Sequence, residues 1–457
     1  MSVVLKAAAR AGDGDGPAAP DGGAAAPGSQ AGNGAGAGAP NGSGDKVASV
    51  VAGILRDVRE RGDAAVRELS ARFDRWEPAS FKLTGEQIAA CVAQVDEQAL
   101  ADLRWCQEQV RNFAVAQRAT LTDLEVETLP GVRLGHRHVP IERVGAYIPG
   151  GRYPMLASAA MSIVTAKAAG VEHVIACTPP LDGAPPAITV AAMHLAGADE
   201  ILILGGVQAI AAMAIGTESV AKVDFLAGPG NSYVAEAKRQ LFGEVGIDLF
   251  AGPTEILVVA DETADPEIVA ADLLGQAEHG PTSPAALIST SERVARETLA
   301  EIDRQLRTLS TADVAGPAWR DFGEVHVVGS DEEAATLADD YAYEHVEILT
   351  AEPRWYLERM RNYGALFLGE GTTVAYGDKA IGTNHVLPTA GAARYTGGLW
   401  VGKYLKTVTY QECDPEASVR IGEICARQCR QERFEGHARS CDVRVRKYAD
   451  SLTGARQ

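Results

Sequence analysis

From about Lys46 onward the chain carries two successive rhythms of apolar and polar positions. Val47, Val50, Ile54 and Val58 recur at helical spacing, Gly62-Asp63 interrupts, and a second amphipathic run covers 64–73. A third helical stretch is expected over 86–118, with Leu100, Leu103, Val110 and Phe113 on it. These helices read as cover for a sheet and as subunit-pairing surface. From Val144 the rhythm becomes strand–helix alternation: strands at 174–177, 201–204 and 225–227, helices at 187–196, 207–215 and 233–242. A second series follows, with strands at 255–259, 286–288, 324–328, 346–349 and 366–368 and helices at 266–274, 292–309 and 332–341. Short apolar strands separated by helices imply right-handed crossovers and parallel sheets covered on both faces. The expected class is therefore α/β with two doubly wound units, followed by a tail that reads as helical from about Thr407. Such sheets bind ligands at the carboxyl ends of their strands.

Composition narrows this picture. With 457 residues, 46% of them hydrophobic, the chain can bury a substantial core in two to four compact units. A formal charge of -19, from 42 basic and 61 acidic residues, argues against nucleic-acid and anionic-membrane partners. No apolar run approaches the ~20 residues that span a bilayer. The first ten residues lack a basic-then-apolar order, so a cytoplasmic location is expected. Residues 11–44 are almost wholly Gly, Ala, Pro, Ser, Asn and Asp, and 1–44 is read as a disordered extension without a catalytic role. Seven cysteines with no CxxC pair fit reduced thiols; Cys425 and Cys429 stand at plain helical spacing.

Candidate chemistry lies in the second half. In Gly275-Gln276-Ala277-Glu278-His279-Gly280-Pro281 a helix delivers Gln276 and His279 three residues apart, on one face, before Gly-Pro stops it. That spacing makes half a metal site, although side-chain chemistry alone would favour Cys, His, Asp or Glu over Gln276. Asp378 opens Asp378-Lys379-Ala380-Ile381-Gly382-Thr383-Asn384-His385-Val386-Leu387-Pro388-Thr389, and Glu432 and His437 lie in Gln431-Glu432-Arg433-Phe434-Glu435-Gly436-His437. Glu344 and His345 are adjacent, so they can share a pocket only from an irregular turn at the mouth of the strand at 346–349. Three glycine turns precede helices: Pro149-Gly150-Gly151, Gly205-Gly206-Val207-Gln208 and Gly228-Pro229-Gly230-Asn231. None is a G-x-G-x-x-G fingerprint, and they fit either phosphate binding or plain tight turns.

Four motifs together carry a resemblance. Ala251-Gly252-Pro253-Thr254-Glu255, Gln276-Ala277-Glu278-His279-Gly280-Pro281, Glu344-His345-Val346 and Gly382-Thr383-Asn384-His385-Val386-Leu387-Pro388-Thr389 stand in the order found in histidinol dehydrogenases, which the chain resembles from about residue 45 to its end. The resemblance implies incomplete Rossmann-like domains: 45–135 with 250–390 carrying catalytic and metal residues, 136–249 carrying the NAD contacts Tyr147, Gln208 and Asn231, and a dimerisation tail, 391–457. It implies oxidation of a primary alcohol through an aldehyde to a carboxylate with two NAD, His345 as general base and Glu344 activating water. It implies Zn2+ on Gln276, His279, Asp378 and His437. These four, with His345, Thr254, His385 and Glu432, would contact the substrate. It further implies an intertwined homodimer whose tail completes the partner's site. L-histidinol, oxidised to L-histidine in histidine biosynthesis, is the expected substrate. The alternatives are a paralogue acting on another primary alcohol and an inactive metal-binding scaffold.

Several positions depart from the histidine-pathway pattern: Thr254 stands for Ser, Tyr343 for Pro, and Arg152-Tyr153-Pro154-Met155-Leu156-Ala157-Ser158 for a Tyr-Pro-Ser-Ser run. The segment Ala393 to Lys403 is similar to paralogues that oxidise sulfonated diols such as 2,3-dihydroxypropane-1-sulfonate. An anionic substrate would need a cation, which Arg152, Lys379 or Arg394 could supply. His136, His138, His173, His194 and His326 match no motif and read as packing or surface residues.

Overall fold

A computed structural model describes residues 3–8, 42–150, 154–249 and 252–454. The chain divides into two compact units, Met1–Val115 with Glu142–Lys403, and Ala116–Ile141 with Tyr404–Gln457.

The first unit contains two sheets. In the five-stranded sheet all neighbours are parallel, in the order β6-β5-β4-β7-β8: β4 is Arg143–Tyr147, β5 His173–Thr178, β6 Glu200–Ile203, β7 Phe225–Ala227 and β8 Gly246–Ile247. The six-stranded sheet has the order β1-β11-β10-β9-β12-β13. Here β9 is Ile256–Ala260, β10 Ala285–Ser289, β11 Gly323–Val327, β12 His345–Leu349 and β13 Ala365–Leu368, all parallel. Strands β5, β9 and β10 are almost wholly apolar because both faces are covered. The alternating series of the sequence thus forms two parallel sheets.

Three features differ from the expected organisation. Val3–Lys6, inside the segment read as a disordered extension, forms β1 and pairs antiparallel with β11; residues 9–41 lie outside the described set. The helices Gly42–Arg61 and Asp63–Asp74 pack on the five-stranded sheet: Val51, Leu55, Val58, Val66 and Leu69 join one core with Ile210, Leu226 and Val234, rather than with residues 250–390. The tail begins as a strand. Leu405–Cys413 (β14) pairs antiparallel with β3 (Val132–Pro140), and β3 with β2 (Leu124–Leu129), and this sheet, with the helices Pro415–Gln431 and Glu435–Gly454, makes the second unit. Strand β2 is exposed along its whole length and β14 nearly so, which removes the burial-driven alternation that would mark them in a sequence.

Candidate active site

The site is built at the amino ends of β9 and β12, which pair with Ile256 beside His345. Thr254 and Glu255 lead into β9; Glu344 precedes β12, and His345 is its first residue. Both members of the pair are buried, at 6% and 2% exposure, and of the two only Glu344 stands on the irregular stretch before the strand. Gln276 arrives near the C-terminal end of the helix Pro266–Ala277, N-capped by Asp265 with Pro266 at its first position.

A chain of polar contacts joins these residues. The Gln276 amide donates to the Thr254 hydroxyl, which donates to Glu344 Oε2 at 2.5 Å, and the Glu255 N–H reaches the same oxygen at 3.3 Å. His345 Nδ1 lies 3.1 Å from the Glu255 carbonyl oxygen. A carbonyl only accepts, so this shorter contact outweighs the Gln276 amide nitrogen 3.4 Å from Nδ1, and in the neutral ring Nδ1 carries the proton and Nε2 presents a lone pair. Among the described residues that buried Nε2 has no hydrogen-bond partner, and Asp378 Oδ1, 3.6 Å away, is too far for a hydrogen bond. A basic nitrogen with Asp378 near it, on a ring whose Nδ1 is held by a backbone carbonyl and lies 3.5 Å from Glu344 Oε2, is equipped to take a proton.

The electrostatics follow from burial and proximity. Burial raises the Glu344 pKa, against the partial relief of His345 and Thr254. Burial and then the Glu344 charge push Glu255 up to about 8. For His345 burial acts downward, but Glu344 and Asp378 outweigh it and the imidazole pKa is raised. Burial acts upward on Asp378, yet the adjacent His345, His385 and Lys379 hold its carboxyl down to about 2.

His279 follows the helix end with an exposed face, and the surrounding protein lowers its pKa through desolvation, with Asp378 close enough to act against it. Lys379 Nζ stands 3.8 Å from Asp378 Oδ2. His385 bridges the Asp378 carbonyl (Nδ1, 2.9 Å) and the Ser158 hydroxyl (Nε2, 3.4 Å), while Asn384 donates to the Met161 carbonyl at 2.9 Å. These two residues fasten the segment after Asp378 to the helical stretch after β4. His385 is a substrate contact by resemblance, and this fastening leaves no local signal in the sequence, because Ser158 and Met161 lie more than two hundred positions away.

The residues assigned to NAD lie at the carboxyl ends of the five-stranded sheet. Tyr147 ends β4, and its buried hydroxyl accepts from the Gly206 N–H at 3.2 Å. Gln208, 1% exposed, donates to Asp74 at 2.9 Å. Asn231 caps the helix Ser232–Leu241 by accepting from the N–H groups of Tyr233 and Val234. Gly228 has φ 111°, and a Cβ there would lie 2.0 Å from the Tyr147 carbonyl oxygen. The turn is locked by a buried ion pair absent from the sequence reading: Lys238 donates to the Gly228 carbonyl at 3.0 Å and to Asp248, which accepts from the Gly228 N–H at 2.7 Å.

Glu432 and His437 lie in the second unit, both exposed; Glu432 is the C-cap of Pro415–Gln431, and His437 packs its ring 5.5 Å from that of Phe434. Arg394 is engaged by the Asp340 carbonyl, and Arg152 lies outside the described residues. Of the unassigned histidines, His173 contacts Glu200, His326 contacts Glu324 and Tyr341, and His136 packs against His138.

Among the described residues no three His, Cys, Asp or Glu side chains converge as a metal cage. The first unit supplies two such groups, His279 and Asp378, beside the Gln276 amide, whose nitrogen faces Thr254 and leaves Oε1 to ligate. This mixed oxygen and nitrogen set without thiolate, next to an orphaned imidazole nitrogen, fits an open catalytic ion better than a closed structural one.

Comparison with known proteins gives the family of the chain. The family described as Histidinol dehydrogenase matches residues 39–445. The chain is 61% identical to a histidinol dehydrogenase homolog of Shouchella clausii over 88% of its own length and 95% of that protein. It is 48% identical to the sulfopropanediol 3-dehydrogenase of Ruegeria pomeroyi (88% and 93%) and 42% identical to the histidinol dehydrogenase of the same organism (89% and 93%). The crystal structure of histidinol dehydrogenase from Elizabethkingia anophelis superposes with a TM-score of 0.84 at 31% identity, over 89% of this chain and 97% of that one. The fold is α/β, and the family that matches it is one of oxidoreductases. The chain belongs to the histidinol dehydrogenase family.

Proposed function

We propose that this protein oxidises a primary alcohol through an aldehyde to a carboxylate with two NAD, and that its substrate is a paralogue's alcohol, 2,3-dihydroxypropane-1-sulfonate first, rather than L-histidinol. The single observation that carries the chemistry is the buried, unpartnered His345 Nε2, with Nδ1 held by the Glu255 carbonyl. The substrate reading rests on similarity: the 61% and 48% relatives are a homolog and a sulfopropanediol dehydrogenase, whereas the histidinol dehydrogenase stands at 42%. It reverses the order in which the motifs alone ranked the two alcohols. Lys379 is the cation that supports it, exposed beside Asp378, while Arg394 is turned to a backbone carbonyl.

In this reading His345 Nε2 takes the alcohol proton in the first oxidation and the hydrate proton in the second. Its raised pKa makes the resulting imidazolium tolerable between the two carboxylates. Glu344, raised by burial and oriented by Thr254, takes a proton from the water that adds to the aldehyde. NAD, when bound, accepts the hydride of each oxidation. A zinc ion, held by Gln276, His279, Asp378 and His437, would supply positive charge that orients the substrate oxygen. His437 and Glu432 come from the tail of a second copy in a homodimer, a pairing supported by apolar side chains that the second unit leaves exposed, among them Leu124, Val126, Val408, Ile424 and Phe434.

The test is NADH formation by the zinc-loaded protein with 2,3-dihydroxypropane-1-sulfonate and, in parallel, L-histidinol at matched concentration. Two NADH per sulfonate consumed is the expected result. Turnover of L-histidinol alone would overturn the substrate assignment and leave the chemistry standing.

A further inference from the structure

One layer beneath the site, the six-stranded sheet buries a second pair of acids that the chemistry above does not use. Glu347 is fully buried on β12, two residues after His345 and therefore on the same face of the strand, in a core formed by Ile256, Leu273, Leu349, Phe367 and Val374. A carboxyl in such surroundings is costly unless its atoms are partnered. Glu347 Oε1 accepts from the Val374 N–H at 2.8 Å, the first amide of the helix Val374–Lys379. Its other oxygen, Oε2, and Asp272 Oδ2 are both buried without a hydrogen-bond partner among the described residues, and burial, then the Asp272 charge, holds the Glu347 pKa well above its ordinary value. Thr373 closes the group, donating from Oγ1 to Asp272 Oδ1 at 2.9 Å and capping the same helix through the Ala375 N–H.

Each anchor point stands a fixed short step from a site residue. Glu347 is two strand positions from His345, Asp272 one helical turn before Gln276, and Val374 one helical turn before Asp378. Three separate elements deliver the base, the amide and the carboxylate, and this group is tied to all three.

We propose that Glu347, Asp272 and Thr373 form a positioning network that sets the distances among His345, Gln276 and Asp378. Loss of the network loosens the metal half-site while the nucleotide side, on the other sheet, is untouched. The proposal rests on the metal reading given above. Glu347→Leu keeps the side chain's approximate volume but leaves the Val374 N–H and the Asp272 carboxyl without their partner. Glu347→Gln keeps the bond from the Val374 N–H on its side-chain oxygen and offers an amide N–H to the buried Asp272 carboxyl.

The experiment titrates Zn2+ against a chromogenic chelator, and NAD+ separately, in the full-length wild type and the variants. Glu347→Leu binds Zn2+ about 10–100-fold more weakly, the range seen when outer-shell partners of a metal site are lost, with NAD+ affinity unchanged. Glu347→Gln restores wild-type Zn2+ affinity, and Thr373→Val, half-buried and nearly isosteric, gives a smaller loss than the leucine. Equal Zn2+ affinity for Glu347→Leu and wild type overturns the network, as does an equal loss for the leucine and glutamine variants. A wild type that binds no Zn2+ overturns the metal reading instead. Amide hydrogen exchange over Val374–Lys379 then decides the network: it accelerates in Glu347→Leu and Thr373→Val, and unchanged exchange overturns the proposal.

Discussion

In the five-stranded sheet the candidate cofactor turns follow β4, β6 and β7, at the carboxyl ends of the strands. In the six-stranded sheet Thr254-Glu255 and Glu344-His345 stand before β9 and at the start of β12, at the amino ends. The difference is one of charge. A strand that runs into a helix meets that helix's N-terminus, where unpaired N–H groups and positive partial charge suit a phosphate. At the opposite edge helices arrive by their C-termini, with carbonyls and negative partial charge that suit a cation. Pro266–Ala277 brings Gln276 and His279 there, beside Asp378. The rule that ligands sit at the carboxyl ends therefore describes the candidate cofactor turns and misses the proposed catalytic edge.

The sharpest way to break this division of labour is at the catalytic edge. His345→Asn should lower turnover by roughly 10²–10⁴-fold while Zn2+ and NAD+ affinities, measured by equilibrium titration, stay at wild-type values. Unchanged turnover would take His345 out of the reaction. On the other edge, Lys238→Met leaves Asp248 buried without its counter-charge, at a cost of about 3–5 kcal/mol. It should lower the melting temperature and raise the KM for NAD, with Zn2+ affinity unaffected. Gly228→Ala forces a Cβ against the Tyr147 carbonyl at positive φ, costing about 1–3 kcal/mol, and should raise the same KM without changing kcat. An effect of either variant on zinc rather than on NAD would mean that the two edges are not separate.

The smallest effect is a pH dependence. Burial first, then the Asp272 charge, holds the Glu347 pKa well above the ordinary 4.5. The folded state thus keeps a proton that the unfolded chain releases. The stability this contributes is complete below about pH 4.5 and is lost as the pH rises through the folded value. Glu347→Gln has no such proton, so the wild-type advantage over it, from urea unfolding across that range, should shrink as pH rises. A flat difference would remove the shared proton.

Much of this was legible in the chain. Apolar runs such as 256–260 and 201–204 mark buried parallel strands because both of their faces are covered, and their burial leaves a compositional trace. The motifs around Gln276, Glu344 and Asp378 pointed to a shared site, and the first unit brings those residues together. Strands β2 and β14 left no trace because solvent covers them, and β1 stands apart at a sheet edge after the first two residues.

Local sequence, then, determined which segments are strands and helices and which side chains could do chemistry, since periodicity and residue type act over a few positions. Tertiary structure alone decided that His345 presents Nε2, through a carbonyl ninety residues away, and that Glu347 and Asp272 face each other inside an apolar core. It also decided that Thr254, Glu255, Glu344 and His345 gather at the amino edge. Tautomer, shared proton and local field all depend on atoms brought together from distant parts of the chain, and no spacing rule along a sequence encodes them.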